Sequence, residues 1–186
     1  MKKFILASAS PRRKQLLKES VYDFTIETSD KEGEIDAITP PDKFAIRCAI
    51  TKAEDVFSRQ NEDVVVLGAD TIVCLNGRVL GKPTDENDAI QMLKSLSNNT
   101  HEVITGYCII SSNMRETGKV VTKVTFNDLP LDLIDRYIKS GLWQGKAGAY
   151  GIQDGFNLVK EYIGDYDNVV GLPVKALDDT IKEFLK

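Results

Sequence analysis

The stretch DVVVLGADTIVCLNGRVLGKP, residues 63–83, constrains the fold more than any other part of the chain. Its apolar run at 64–67 reads as a buried strand. Residues 72–75 and 78–80 flank Asn76-Gly77, the strongest short-range signal for a hairpin turn. A chain with this segment near its middle must build a sheet around it. The rest of the pattern says what covers that sheet.

KFILA, at 3–7, reads as a second short buried strand. Ser10-Pro11 marks a helix start, because Ser caps well and Pro suits the first helical position; that helix is expected to reach about Ser20. YDFTIET alternates as a strand does, and the polar, acidic SDKEGEIDAITPP that follows reads as a loop. Over 42–59, Ala45, Cys48, Ala49 and Val56 form one stripe at helical spacing. Lys52 lies inside that stripe, so its ammonium requires an anionic partner.

A helix is expected over 85–96, capped by Thr84, with Ala89, Met92, Leu93 and Leu96 inward. HEVITGYCIIS and GKVVTKVTF read as strands, and 129–140 as a helix stopping at Gly141. The Gly-rich GKAGAYGIQDG leads to a strand near FNLVKEYI and a helix over 173–184. Helices and strands alternate early and strands cluster in the middle, which favours an α/β fold on a mixed sheet. No repeat or linker divides residues 1–186, so one domain is expected.

A formal net charge of -4 gives none of the basic footprint of a general nucleic-acid binder, so any anionic ligand must meet a local cluster of cations. Cys48, Cys74 and Cys108 each sit in apolar runs and read as buried, reduced thiols. With His101 the single histidine, no Cys/His zinc spacing exists. His101 itself reads as structural. The apolar stretch at 4–7 is too short for a secretory signal, and no run approaches the ~20 residues of a membrane-spanning helix.

Four cations fall at element ends or on inward faces: Arg12, Arg13, Lys52 and Lys82. With Ser8, Ser10 and the first N–H groups of the helix, SASPRR can form a phosphate site, although an exposed basic first turn fits those residues too. Asp70 fits either a metal-ligating, water-positioning carboxylate at a strand end or a turn-forming Asx residue. Glu32, Glu34 and Asp36 in the acidic loop could join it around a divalent metal. Gln153, in a Gly-rich turn, carries an amide suited to a base edge. Cations for a polyphosphate, carboxylates for a metal and an amide for a base fit phosphoanhydride hydrolysis better than covalent catalysis. A P-loop is absent from the sequence.

ILASASPRR, LGADTIV, LGKP, HEVITG, KAGAYGIQ and GDYDNVVGLP, in this order, resemble the Maf (septum formation protein) family of nucleoside triphosphate pyrophosphatases. The resemblance runs from Phe4 to Pro173. It implies an inosine-triphosphatase-like α/β fold: a long curved mixed sheet with flanking helices and a central cleft between two lobes. It implies hydrolysis between the α and β phosphates, giving monophosphate and pyrophosphate with Mg²⁺ or Mn²⁺. It also implies a cytoplasmic, often homodimeric enzyme with no membrane partner.

By position, Asp70 matches the family's proton acceptor. Ser8, Arg13, Lys52 and Lys82 match its phosphate-binding residues. Glu32, with Glu34 as the alternative, matches the acidic-loop carboxylate that joins Asp70 at the metal. Arg12, Thr71 and Gln153 match the positions that set base preference, in the combination of the dTTP/UTP branch. SLSNNTHEV departs from the family pattern, with Asn98-Asn99 able to make the left-handed turn. A non-catalytic nucleotide-binding regulator of septation is the alternative reading.

Overall fold

In the computed structural model, which describes residues 2–31, 33 and 38–186, strand β3 (Val64–Leu75) runs unbroken for 12 residues. It does not stop at Gly68 as the sequence led us to expect, because it is paired on both sides. Strand β1 (Lys3–Ala7) lies parallel along its first half, and β5 (Thr100–Ile110) lies antiparallel from Val66 to Cys74. Asp70 therefore sits inside a paired strand opposite Gly106, not at a strand end.

The sheet continues through β6 (Arg115–Phe126) to β7 (Val159–Ile163) on one side and through β1 to β2 (Thr25–Ile26) on the other. β4 (Arg78–Leu80) folds back on β3 through Asn76-Gly77, both at positive φ as the hairpin turn requires. The order is β2-β1-β3-β5-β6-β7, with parallel pairs at β2/β1/β3 and antiparallel pairs beyond. This is the mixed α/β sheet expected. β2 is much shorter than the YDFTIET pattern implied.

The alternation of β3 decides what each residue faces. Val64 and Val66 pack with Ala49, Ala53 and Val56 of helix α2 (Pro41–Phe57). Val65, Leu67 and Ala69 pack on the opposite face, with Leu17 of α1 (Pro11–Lys18) and Leu177, Ile181 and Phe184 of α6 (Val174–Phe184). The even face continues through Asp70 and the odd face through Thr71.

Helix α2 can reach the even face only because two glycines admit it. A Cβ on Gly68 would lie 2.4 Å from the Ala49 carbonyl oxygen, and one on Gly106 2.3 Å from the Ala45 carbonyl carbon. That close approach is what brings Lys52 over Asp70.

A third cluster packs α3 (Glu86–Leu96) and α4 (Leu131–Lys139) against Val73, Val103, Val124 and Phe126. Asp85, rather than Thr84, caps α3: its carboxylate accepts from the Asp88 N–H, while Thr84 donates to Asp88. Asn98 takes the left-handed conformation expected of it, at φ 53°. The short helix α5 (Tyr166–Val170), capped by Asp165, was not apparent in the sequence. None of the described helices is long and apolar enough to cross a membrane.

Candidate active site

Beside the middle of β3 opens a cleft of about 470 Å³. It gathers Ser8, Arg12, Arg13, Lys52, Asp70, Thr71, Lys82 and Gln153, all of the sequence-predicted site residues that lie among the described ones. Glu32, Glu34 and Asp36 lie outside the described residues. Gly33, between the two glutamates, also lines the cleft.

Arg13 is no exposed first-turn arginine. Its side chain is buried, and three of its five N–H donors are taken. Nε donates to the Gly171 carbonyl at 2.8 Å, Nη2 to Thr71 Oγ1 at 2.9 Å and Nη1 to Ser8 Oγ at 3.3 Å. Ser10 caps α1 by accepting from the Arg13 N–H at 3.4 Å, which fixes where the side chain leaves the helix. Burial lowers the guanidinium's pKa, and the nearby Asp70 carboxylate opposes that shift. Two donors remain for a ligand.

Thr71 accepts from Arg13, donates to the Gly171 carbonyl at 3.2 Å and lies 2.9 Å from Thr105 Oγ1, its cross-strand partner. Its visible work is to hold Arg13. On the even face Lys52 Nζ donates to Asp70 Oδ1 in a part-buried ion pair, the anionic partner that the lysine's place in an apolar stripe demanded. Lys82 follows Gly81, whose carbonyl accepts from Gly148 N at 3.0 Å; this ties the end of β4 to the Gly-rich segment. Arg12 leans to the same segment, donating to the Gly145 carbonyl at 3.5 Å. Its pKa is lowered by burial and drawn back up by Asp154.

The thiols are not nucleophiles in waiting. Cys48, Cys74 and Cys108 are free and buried, and burial pushes their pKa up, that of Cys108 to about 11. His101 is also structural. Its Nε2 lies 2.7 Å from the Tyr150 hydroxyl, and its ring packs edge-on against Phe126.

Arg12, Arg13, Lys52 and Lys82 line the cleft, as does Lys146, whose charge is taken up by Asp154, and among the described lining residues Asp70 is the sole acid. Among the described residues no group of three or more His, Cys, Asp or Glu side chains could hold a metal ion. Such a cleft suits a polyanion. A hard divalent ion there would take its oxygens from Asp70 and from the ligand's own phosphates.

The family model described as Maf-like protein matches residues 3–184. The chain belongs to the Maf family. It is 47% identical over 175 residues to the dTTP/UTP pyrophosphatase of Pyrococcus furiosus, covering 94% of this chain and 91% of that one. It is 46% identical over 185 residues to the dTTP/UTP pyrophosphatase of Bacillus cereus (strain G9842), covering 99% and 96%. Among solved structures, a HAM1 protein from Coxiella burnetii superposes with a TM-score of 0.56 at 16% identity, over 98% of this chain and all of that one. This last likeness concerns the fold alone, and the fold is the inosine-triphosphatase-like one expected.

Two parts of this Maf-family cleft escaped the sequence reading. One is the Gly171 carbonyl, presented to Arg13 by a glycine at φ 138°, since a backbone acceptor leaves no mark in a side-chain pattern. The other is the ion pair of Lys146 and Asp154. Both residues stand in a Gly-rich segment without periodicity, where spacing says nothing about which side chains meet.

Proposed function

We propose that this protein is a nucleoside triphosphate pyrophosphatase that hydrolyses dTTP and UTP between the α and β phosphates. The observation that carries the reading is the convergence of four cations, Arg12, Arg13, Lys52 and Lys82, and Asp70 on one cleft, in a chain about 45% identical over nearly its full length to proteins bearing that activity's name.

In this reading the triphosphate lies among Ser8, Arg13, Lys52 and Lys82. The Asp70 carboxylate accepts a proton from a water that attacks the α phosphorus. The bond from that phosphorus to the bridging oxygen breaks, and pyrophosphate leaves with the electron pair. Lys52 orients the carboxylate, and the two uncommitted donors of Arg13 face the charge that grows on the phosphates. Preorganised donors of this kind stabilise the transition state without covalent chemistry. Buried, protonated thiols and a structural His101 agree with the lack of a covalent step.

Asp70 and the phosphate oxygens would hold Mg²⁺ or Mn²⁺, with Glu32 or Glu34 as a further ligand; Gly33 at the cleft wall supports that assignment. When bound, the cation would neutralise polyphosphate charge. Arg12 and Gln153 read the base, and Thr71 contributes by holding Arg13.

The test is product identification: purified protein with dTTP or UTP and Mn²⁺ should release pyrophosphate and the monophosphate. Orthophosphate with the diphosphate, or no product from any common nucleotide, overturns the reading.

A further inference from the structure

The turn that presents Gln153 is closed by its neighbour. Asp154 Oδ2 accepts from Gly151 N at 3.0 Å, and Asp154 N donates to the Gly151 carbonyl at 3.1 Å. The same carboxylate accepts from Lys146 Nζ through both oxygens, at 2.7 and 2.6 Å, and from the Tyr137 hydroxyl at 2.6 Å. Its side chain is 5% exposed and that of Lys146 10%, so the pair is all but sealed, while Gln153 between these anchors stays exposed at the cleft. Arg12 lies near the same charge. It reaches the same segment at Gly145, and the Asp154 carboxylate attracts it.

We infer that the Lys146–Asp154 pair is a positioning device for base selection: it fixes the turn that carries Gln153 and draws Arg12 to the same edge of the cleft. The chemistry of the bases shows why such a device is needed. A glutamine amide carries a donor and an acceptor, and by rotating it can match uracil or thymine as well as cytosine. It discriminates only when its place is fixed and a donor-only group shares the base edge. A guanidinium is donor-only: it suits the O4 carbonyl of thymine and uracil and clashes in polarity with the N4 amino group of cytosine. Asp154 serves both requirements at once. Lys146 balances the carboxylate so that it can remain buried. The turn is then set by the fold before the nucleotide arrives.

The inference rests on the nucleotide reading of the cleft, and the experiment separates the two. Binding of α,β-imido-dTTP, α,β-imido-CTP and inorganic tripolyphosphate is measured by calorimetry for the wild type, Asp154→Asn and the double variant Lys146→Met/Asp154→Asn. Turnover of dTTP and CTP is followed in parallel. The double variant leaves no stranded charge and carries the test if the single variant melts.

The wild type should prefer the thymine analogue. In either folded variant that preference, and the matching ratio of kcat/KM, should narrow about tenfold, as for a polar site whose donors lose their set positions. Tripolyphosphate, which meets only the phosphate side, should bind as before. A folded variant that keeps the wild-type preference overturns the inference. So does a loss of tripolyphosphate affinity in step with the nucleotides, the mark of a merely structural pair. A wild type that binds both analogues equally overturns it as well. A wild type that binds selectively without turnover overturns the proposed pyrophosphatase activity, and the binding ratios still decide the inference.

Discussion

Two Lys–Asp pairs stand at one cleft, one opening into it and one closed behind its wall, and they are built for opposite ends. Lys52–Asp70 bridges a helix and the middle of a strand with side chains 16% and 20% exposed, and Asp70 accepts the lysine through a single oxygen. Lys146–Asp154 is 10% and 5% exposed; its carboxylate accepts from both the lysine and the Tyr137 hydroxyl and closes its own turn on Gly151 N. The first carboxylate keeps lone pairs for a water or a metal. The second has spent its lone pairs on the protein. Residue type is identical in the two pairs, so the difference between a reactive and a supporting carboxylate lies in how many neighbours already hold it.

The strongest way to break this comparison is to neutralise each aspartate in turn. Asp70→Asn should lower kcat for dTTP by about 10³-fold or more, the cost of losing a proton acceptor in the order seen for general bases and their support. Its thermal midpoint should stay close to that of the wild type, because Lys52 retains access to solvent. Retained turnover in a folded Asp70→Asn protein would remove the assignment of the base. Stability should separate the pairs in the other direction. Asp154→Ala strands a buried ammonium and should cost about 3–5 kcal/mol in urea unfolding, whereas Asp70→Ala, at a pair more open to solvent, should cost less, about 1–2 kcal/mol. Equal losses would mean that the two pairs are energetically alike and the distinction is false.

A smaller effect comes from a group that is buried but only half partnered. His101 hydrogen-bonds Tyr150 through Nε2, and its Nδ1 has no partner among the described residues. Burial lowers its pKa from 6.5 to about 4. The unfolded chain therefore binds a proton that the folded one refuses. The stability His101 contributes is complete above about pH 6.5 and is lost as the pH falls toward 4. A shift of that size corresponds to about 3 kcal/mol. Other groups titrate in the same range, so the measurement is the difference between the wild type and His101→Phe. The wild-type curve should fall faster with acid, and parallel curves would refute the role of the ring.

How far the sequence could announce these features follows from the same contrast. Lys52 was legible because an ammonium within an apolar helical stripe needs a counter-charge wherever the helix lands. The hairpin at Asn76-Gly77 and the buried runs of β1 and β3 were legible because their patterns are local. Gly68-Ala69 misled, since a glycine within an apolar run reads as a strand end. Here it is the gap that lets the α2 backbone approach, and the strand continues through it. The burial of Arg13 was hidden because its partners, Thr71 and the Gly171 carbonyl, lie 58 and 158 residues away along the chain. Lys146 and Asp154 are only eight apart, but the segment joining them has neither helical nor strand period, so nothing in it tells which way either points.

The smallest effect tests whether the open and closed logic extends to Arg13, whose three committed donors resemble the closed pair and whose two remaining donors resemble the open one. Thr105 Oγ1 stands 2.9 Å from Thr71 Oγ1, and Thr105 is wholly buried beneath the cleft. Thr105→Val keeps the shape and deletes that contact, together with the hydroxyl's 3.4 Å bond to the Asn168 carbonyl, so Thr71 loses a neighbour that helps fix its hydroxyl toward Arg13. Loss of these two contacts, the longer one weak, should cost about 1–2 kcal/mol of stability. If Thr71 holds Arg13 for the phosphates, KM for dTTP should rise a few-fold, by about 2–5, with kcat nearly unchanged, because Asp70 on the other face of β3 keeps its place. A fall in kcat without a change in KM would move Arg13 from substrate binding to the chemical step, and no kinetic change would show that its two bonds to Gly171 and Ser8 suffice to hold it.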